Sequence, residues 1–282
     1  MNKKVSIITP ILNEESHILE FISSIKSQTY RPIELILVDG GSTDKTLFNI
    51  SSFCLNEELF SIKLYNEFGV CKSPANARNI GLDNSSGDLI LMIDCDTNFV
   101  SKNILHKTIE EMNDDCSILI EFFPIIDTEI EQFISDTSKR SGVILYKKTL
   151  IGENRYDSSL GYGEDRVFTY TIFQNLDYNG KVASIKIGRH YPHTIKEYTK
   201  QNIWYGRTIL KYIIKSFKTN RNDFYIRLVF VFYNISVCLF PPMCIFKNYK
   251  YKPKRMFGYV NLFTYSFIES IYFVKGLVRG LT

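Results

Sequence analysis

Apolar and polar positions succeed one another along the first 190 residues with two alternating periods. "VSIITP" at 5–10 is a short apolar run ended by a polar loop, and Ile18, Phe21, Ile22 and Ile25 then recur at the spacing of one helix face. "IELILVD" at 33–39 is the continuous apolar run of a strand covered on both faces, and "GGSTD" supplies a glycine turn and a Ser/Thr helix start. Further strands are predicted over 60–65, 88–94, 117–123, 142–148 and 181–187, and helices over about 75–82, 101–112, 128–139 and the residues after 165. This βαβα order predicts an α/β fold, a mainly parallel sheet with helices on both faces.

With 282 residues the chain is long enough for one large domain, or one domain with an appendage. Its net charge of +4 hides an asymmetry: residues 1–180 carry a balance of −11 and residues 181–282 one of +15. The basic part is also apolar. Residues 228–246 hold no charge, "KNYKYKPKR" follows, and a second apolar stretch covers 256–268. A spanning helix needs ~20 predominantly apolar residues, and Pro241–Pro242 breaks the first stretch.

The expectation is therefore helices lying in a membrane interface, or a shallow hairpin, with Lys247, Lys250, Lys252, Lys254 and Arg255 at anionic headgroups. A tight two-span hairpin and a buried helical subdomain are the alternatives. An anionic membrane surface, and no nucleic acid, is the expected partner of this segment. The domain boundary is placed near Asn220, with one domain over 1–220 and a basic, hydrophobic helical region over 221–282. Six cysteines without CxxC or zinc spacing suit reduced thiols, and no signal peptide is expected before the strand at Val5. The expected location is the cytoplasmic face of the cell membrane, peripheral or shallowly inserted.

In an open parallel sheet, ligands bind beyond the carboxyl ends of the strands. "PILNE" (10–14), "DGGSTD" (39–44) and "DCD" (94–96) all lie there, so three polar clusters converge on one edge. Asp94 and Asp96 alternate toward one side of an extended segment. Alone they read equally as a strand-ending turn; beside the other clusters they suit a divalent cation, since Mg²⁺ takes one or two carboxylates plus phosphate oxygens.

"VSIITPILNEE", "ILVDGGSTD", "NARNIGL", "LMIDCD" and "GYGED", in this order, resemble the GT-A fold of glycosyltransferase family 2 over roughly residues 3–210. The resemblance implies a nucleotide-sugar donor, a divalent cation (Mg or Mn) and inversion at the anomeric carbon. It places Pro10, Asn13 and Glu14 in a nucleoside-contacting loop, Asp39 on a base N–H, Arg78 on the donor, Asp94 on the ribose or a metal-bound water, and Asp96 on the cation. By the same resemblance Asp165 is the general base for an acceptor hydroxyl, with Glu164 as helper. The competing reading makes both acids ordinary first-turn helix residues.

His190 and His193 lie where the family often has a metal-completing histidine, and His193, just before a predicted helix, is the choice. "QNIWYGR" departs from the QxxRW of processive synthases because Arg207 follows Trp204 by three; a role for Trp204 and Arg207 toward acceptor or phosphate stands beside plain helix packing. The function implied is sugar transfer to an acceptor hydroxyl on a lipid-linked or nascent glycan. A polyprenyl-phosphate sugar synthase of the same fold, or a non-catalytic nucleotide-sugar or membrane-binding module, is the alternative.

Overall fold

The computed structural model describes residues 2–53, 56–57, 59–67, 73–112, 117–125, 142–173, 181–192, 194–219, 221–239, 241 and 256–281. The chain divides into two compact units: 1–125 with 140–158 and 171–190, and 126–139 with 159–170 and 191–282. The second unit thus includes residues on both sides of position 220.

The first unit is built on one sheet. Its elements are β1 (Val5–Ile11), α1 (Ile18–Lys26), β2 (Ile33–Asp39), α2 (Thr46–Ser51), β3 (Asn56–Glu57), β4 (Phe60–Asn66), α3 (Pro74–Asp83), β5 (Leu89–Met92), β6 (Thr97–Asn98), α4 (Ile104–Met112), β7 (Ser117–Pro124), β8 (Gly142–Lys147) and α5 (Lys148–Ile151). After α6 (Glu164–Phe173) come β9 (Lys181–Val182) and β10 (Ile187–Arg189). Among the described residues the strand order is β3-β4-β2-β1-β5-β8-β7-β10-β6, with β9 on β7. β4, β2, β1 and β5 are parallel, and the register sets Ile11 opposite Asp39 and Ile8 opposite Met92. β8 runs antiparallel to β5 and β7, and β10 pairs parallel with β7 and antiparallel with β6.

Every residue of β2 and all of β1 but Pro10 are buried, which is what a continuous apolar run predicts for a strand covered on both faces. Ile18, Phe21, Ile22 and Ile25 of α1 face the same core as Ile7, Leu35 and Leu91. Each fully buried aliphatic side chain of this kind stabilises the fold by ~1.5–3 kcal/mol. α3 comes close to β1 because Gly81 has no Cβ; one placed there would strike the Ile8 side chain.

Several expected boundaries move. The strand at 88–94 ends at Met92, and the one expected over 181–187 resolves into β9 and β10. The helix expected from 101 starts at Ile104, and the one expected over 128–139 lies outside the described residues.

The second unit contains α7 (Ile195–Thr219), α8 (Arg221–Leu239) and α9 (Met256–Leu281) around Ile209, Ile213, Val231, Phe273 and Leu277. α7 and α9 touch backbone to backbone: a Cβ on Gly206 would meet the Phe273 carbonyl, and one on Gly276 the Ile203 carbonyl. Two polar pairs lie inside this bundle among the described residues. Ser270 donates to Asn234 (2.9 Å), and the Tyr198 hydroxyl donates to Glu269 (2.8 Å), the charge that interrupts the second apolar stretch. Burial, reinforced by that carboxylate, raises the Tyr198 phenol well above its ordinary value. No helix among the described residues is long and apolar enough to cross a membrane.

Candidate active site

Two loops at the carboxyl ends of β1 and β2 lock together. Asn13, in the left-handed region at φ 58°, accepts from the Thr43 N–H (2.8 Å), and its own N–H donates to Ser42 Oγ (2.9 Å). The Glu14 N–H donates to Thr46 Oγ1 (2.7 Å) and the Glu15 N–H to Asp44 (3.2 Å). Ser42 and Asp44, which the sequence suggests as cap and first-turn acid of the next helix, instead precede α2, which starts at Thr46, and brace the loop after β1. Asp44 does serve the entry of α2 through the Thr46 N–H (2.9 Å).

Asp39 is buried at the end of β2, where its carboxylate accepts from the Gly41 N–H (3.0 Å), the Ser42 N–H (3.1 Å) and Ser42 Oγ (2.6 Å). The tight turn that delivers these donors has Gly41 at φ 98°. Pro10 lies beside Val38 in the parallel register, so the β1 loop and Asp39 share one edge. Glu14 Oε2 lies 3.0 Å from His17 Nδ1.

β5 stops at Met92, and the chain then runs through Asp94, Cys95 and Asp96 to β6. Cys95 is a free, buried thiol whose side chain joins the hydrophobic core, and burial pushes its pKa far up. The flanking carboxylates face charge instead. Arg78, buried on α3, reaches Asp94 Oδ1 with Nη2 (2.7 Å), and its guanidinium lies 5.6 Å from the centre of the Tyr156 ring. Arg78 is therefore a buried, paired charge and not an exposed one on the helix surface.

A second arginine completes the cluster. Arg189 of β10 places Nε 3.1 Å and Nη2 3.0 Å from Asp96 Oδ2, and Nη2 lies 3.8 Å from Asp94 Oδ2. Its guanidinium is 4.9 Å from the centre of the Phe122 ring. Pairing of β10 with β6 sets Arg189 opposite Thr97, and the His190 N–H donates to the Asp96 carbonyl (2.8 Å).

These neighbours split the two carboxylates. Burial raises the Asp94 carboxyl, but Arg78 and Arg189 outweigh it and leave the group below the ordinary carboxylate range. At Asp96, burial with Asp94 and Glu14 beside it outweighs Arg189 and raises the group.

Among the described residues no three His, Cys, Asp or Glu side chains gather as a protein-made metal cage. A cation shared with a diphosphate needs fewer ligands, one or two carboxylates being the usual protein share for Mg²⁺. Asp96 supplies a suitable donor, because its Oδ1 is buried and has no hydrogen-bond partner. The residues present therefore fit a divalent ion. His193 lies outside the described residues, while His190 faces Glu20 Oε2 (3.6 Å) and the His17 ring (5.8 Å between centroids).

Glu164 and Asp165 open α6 in the second unit, Glu164 buried and Asp165 exposed. The glycines before them have a packing role. Gly163 holds φ 75° and leaves room for the Tyr212 ring, and a Cβ on Gly161 would lie 2.8 Å from Thr208 Cγ2. Trp204 and Arg207 share an exposed face of α7, with the Trp204 ring 5.4 Å from that of Tyr205.

Sequence reasoning missed Arg189 and Glu67. Glu67 is buried just past β4, where it accepts from the Ser73 N–H (2.6 Å) and Asn76 Nδ2 (3.0 Å) and so anchors the start of α3 and, with it, Arg78. An acid directly after a strand was visible for Glu67; no local signal marks Arg189.

The chain is similar to known proteins in sequence and in fold. The family model described as "Glycosyl transferase family 2" matches residues 6–176. An uncharacterised glycosyltransferase of Haemophilus influenzae is 38% identical over 108 residues, 38% of this chain and 42% of that protein. The poly(ribitol-phosphate) beta-N-acetylglucosaminyltransferase TarS of Staphylococcus aureus is 26% identical over 194 residues, 62% of this chain and 33% of that protein. These matches span less than half of each relative's length.

Among solved structures, a mannosyltransferase of Pyrobaculum calidifontis in complex with GDP-Man and Mn²⁺ superposes with a TM-score of 0.67 at 14% identity, covering 100% of this chain and 88% of that one. A crystal structure of TarS residues 1–349 follows at 0.55 and 17% identity, covering 99% and 92%. Such low identity speaks for the fold alone. The sequence match, extending over more than half of the chain and across the strand-end loops described above, settles the relationship: the chain belongs to glycosyl transferase family 2.

Proposed function

We propose that the protein is an inverting glycosyltransferase that moves a sugar from a nucleotide-diphosphate donor to an acceptor hydroxyl, with a divalent cation at Asp96. The observation that carries this reading is the carboxylate pair after β5, where Asp94 is held by Arg78 and Asp96 keeps a buried, unpartnered oxygen. Proteins of similar fold solved in complex with GDP-Man and Mn²⁺, or with UDP and Mg²⁺, support the ligand class.

In this reading Asp96, with Asp94 beside it, holds the cation. When bound there, the ion neutralises charge on the departing diphosphate. The chain's own residues do the rest. Asp39, fixed by three loop donors, accepts a base N–H; Arg78 orients Asp94; and Asp165, exposed at the start of α6, takes the acceptor's proton with Glu164 beside it.

A carboxylate base suits a hydroxyl acceptor better than a polyprenyl phosphate, whose oxygen is already largely ionised near neutral pH, given a second phosphate pKa of ~6. The acceptor proposed is a lipid-linked or nascent glycan at an anionic membrane surface, on the cytoplasmic side. Apolar side chains exposed on α8, including Val229 and Phe232, support that placement, as does the basic composition of 181–282.

A panel of nucleotide sugars, with released nucleoside diphosphate as readout, tests the activity. Asp165→Asn should keep donor binding and lower transfer by ~10²–10⁴-fold; full transfer would remove Asp165 from the base role. Asp96→Asn should lose cation-dependent donor binding, and undiminished binding would move the cation elsewhere.

A further inference from the structure

The atom that sits between the two site carboxylates is Nη2 of Arg189, 3.0 Å from Asp96 Oδ2 and 3.8 Å from Asp94 Oδ2. A divalent ion taken up by Asp96 through its unpartnered Oδ1 would share that carboxylate with the guanidinium. The two cations compete for it, since like charges this close repel and do so more strongly in a partly buried site than in water.

The arginine's backbone is pinned by the β10–β6 pairing, but its side chain is one-quarter exposed and is held by the carboxylates and the Phe122 ring face. Rotation of that side chain leaves the sheet intact. Arg78 differs, being only one-tenth exposed on its helix.

We propose that Arg189 is a displaceable internal counter-ion, which neutralises Asp94 and Asp96 in the cation-free protein and gives way when Asp96 takes up the divalent ion. This rests on the cation role given to Asp96 above. The arginine would keep the affinity for the bare ion low, so that ion and diphosphate bind together.

The test is titration with Mn²⁺ alone, followed by the electron paramagnetic resonance signal of free Mn²⁺, on the full-length wild type, Arg189→Gln and Asp96→Asn. Removing a full charge from this position should tighten Mn²⁺ binding about tenfold in Arg189→Gln, while Asp96→Asn should lose it. Unchanged or weaker binding in Arg189→Gln, with loss in Asp96→Asn, overturns the counter-ion and spares the cation reading. Equal binding by Asp96→Asn and wild type overturns both.

A measurement on the wild type needs no variant to fold. Phenylglyoxal modification of Arg189, read by peptide mass spectrometry, should accelerate several-fold when Mn²⁺ is added, because the guanidinium is released. An unchanged or slower rate means that Arg189 stays on the carboxylates.

Discussion

Glu34 shows what a single residue contributes to this fold. It sits in the second position of β2 with its side chain fully buried, and accepts from Ser6 Oγ, the Ser86 N–H (2.6 Å), Ser86 Oγ (2.8 Å), Lys63 Nζ (2.9 Å) and Lys4 Nζ (3.0 Å). Burial alone raises such a carboxyl, but these donors outweigh it and hold the group well below the ordinary range. A depressed folded pKa gives stability that is complete above the unfolded value of ~4.3 and is lost as pH falls below it. Glu34→Gln leaves the two ammonium groups without their anion while keeping the shape, so it should lower stability at pH 7 by ~1–3 kcal/mol. The same variant should flatten the fall in melting temperature between about pH 5 and 3. Thermal melts across that range check both parts, and an unchanged acid limb would show that other carboxylates set it.

At the scale of elements, close approach between helices rests on glycine. Gly206 and Gly276 let α7 and α9 meet at their backbones, so Gly276→Ala should force them apart and cost about 1–3 kcal/mol. Val278→Ala, on the exposed side of α9, should stay within ~0.5 kcal/mol. Melting curves with limited proteolysis separate the two. This contact was not legible in the sequence, because glycine spacing shows which helix face is narrow without naming the face it meets. β2 and α1 were legible, since a run buried on both faces and a 3.6-residue stripe each leave a local periodic trace. β6, β9 and β10, with two or three residues each, are too short to show a period. Arg189 was hidden for that reason: it lies 93 positions from Asp96, and only the β10–β6 pairing joins them. The Asp94–Asp96 pair was legible because both acids lie just past an apolar run, where strand-end chemistry is expected.

At the scale of the whole molecule, charge and apolar exposure favour opposite partners for the two ends of the sequence. Residues 1–180 are acidic by −11, and residues 181–282 are basic by +15. In the second unit, Tyr225, Ile226, Val229 and Phe232 of α8 are all at least half exposed, an apolar display beyond scattered surface residues. The membrane attachment proposed for this helix would draw on two additive terms, apolar insertion and attraction to anionic headgroups. The two terms are separable. Val229→Ser with Phe232→Ser removes insertion at unchanged charge without disturbing the buried Val231 and Asn234, and each apolar side chain lost from the bilayer weakens binding by ~1.5–3 kcal/mol. Co-sedimentation with phosphatidylglycerol–phosphatidylcholine vesicles should therefore weaken at least 100-fold in the double variant. Raising salt from 0.1 to 1 M shortens the screening length from ~10 to ~3 Å and should weaken the wild type too, by removing the headgroup term. Binding that ignores the substitutions but yields to salt would assign the attachment to the basic residues alone, and binding that ignores both would place the membrane surface elsewhere on the chain.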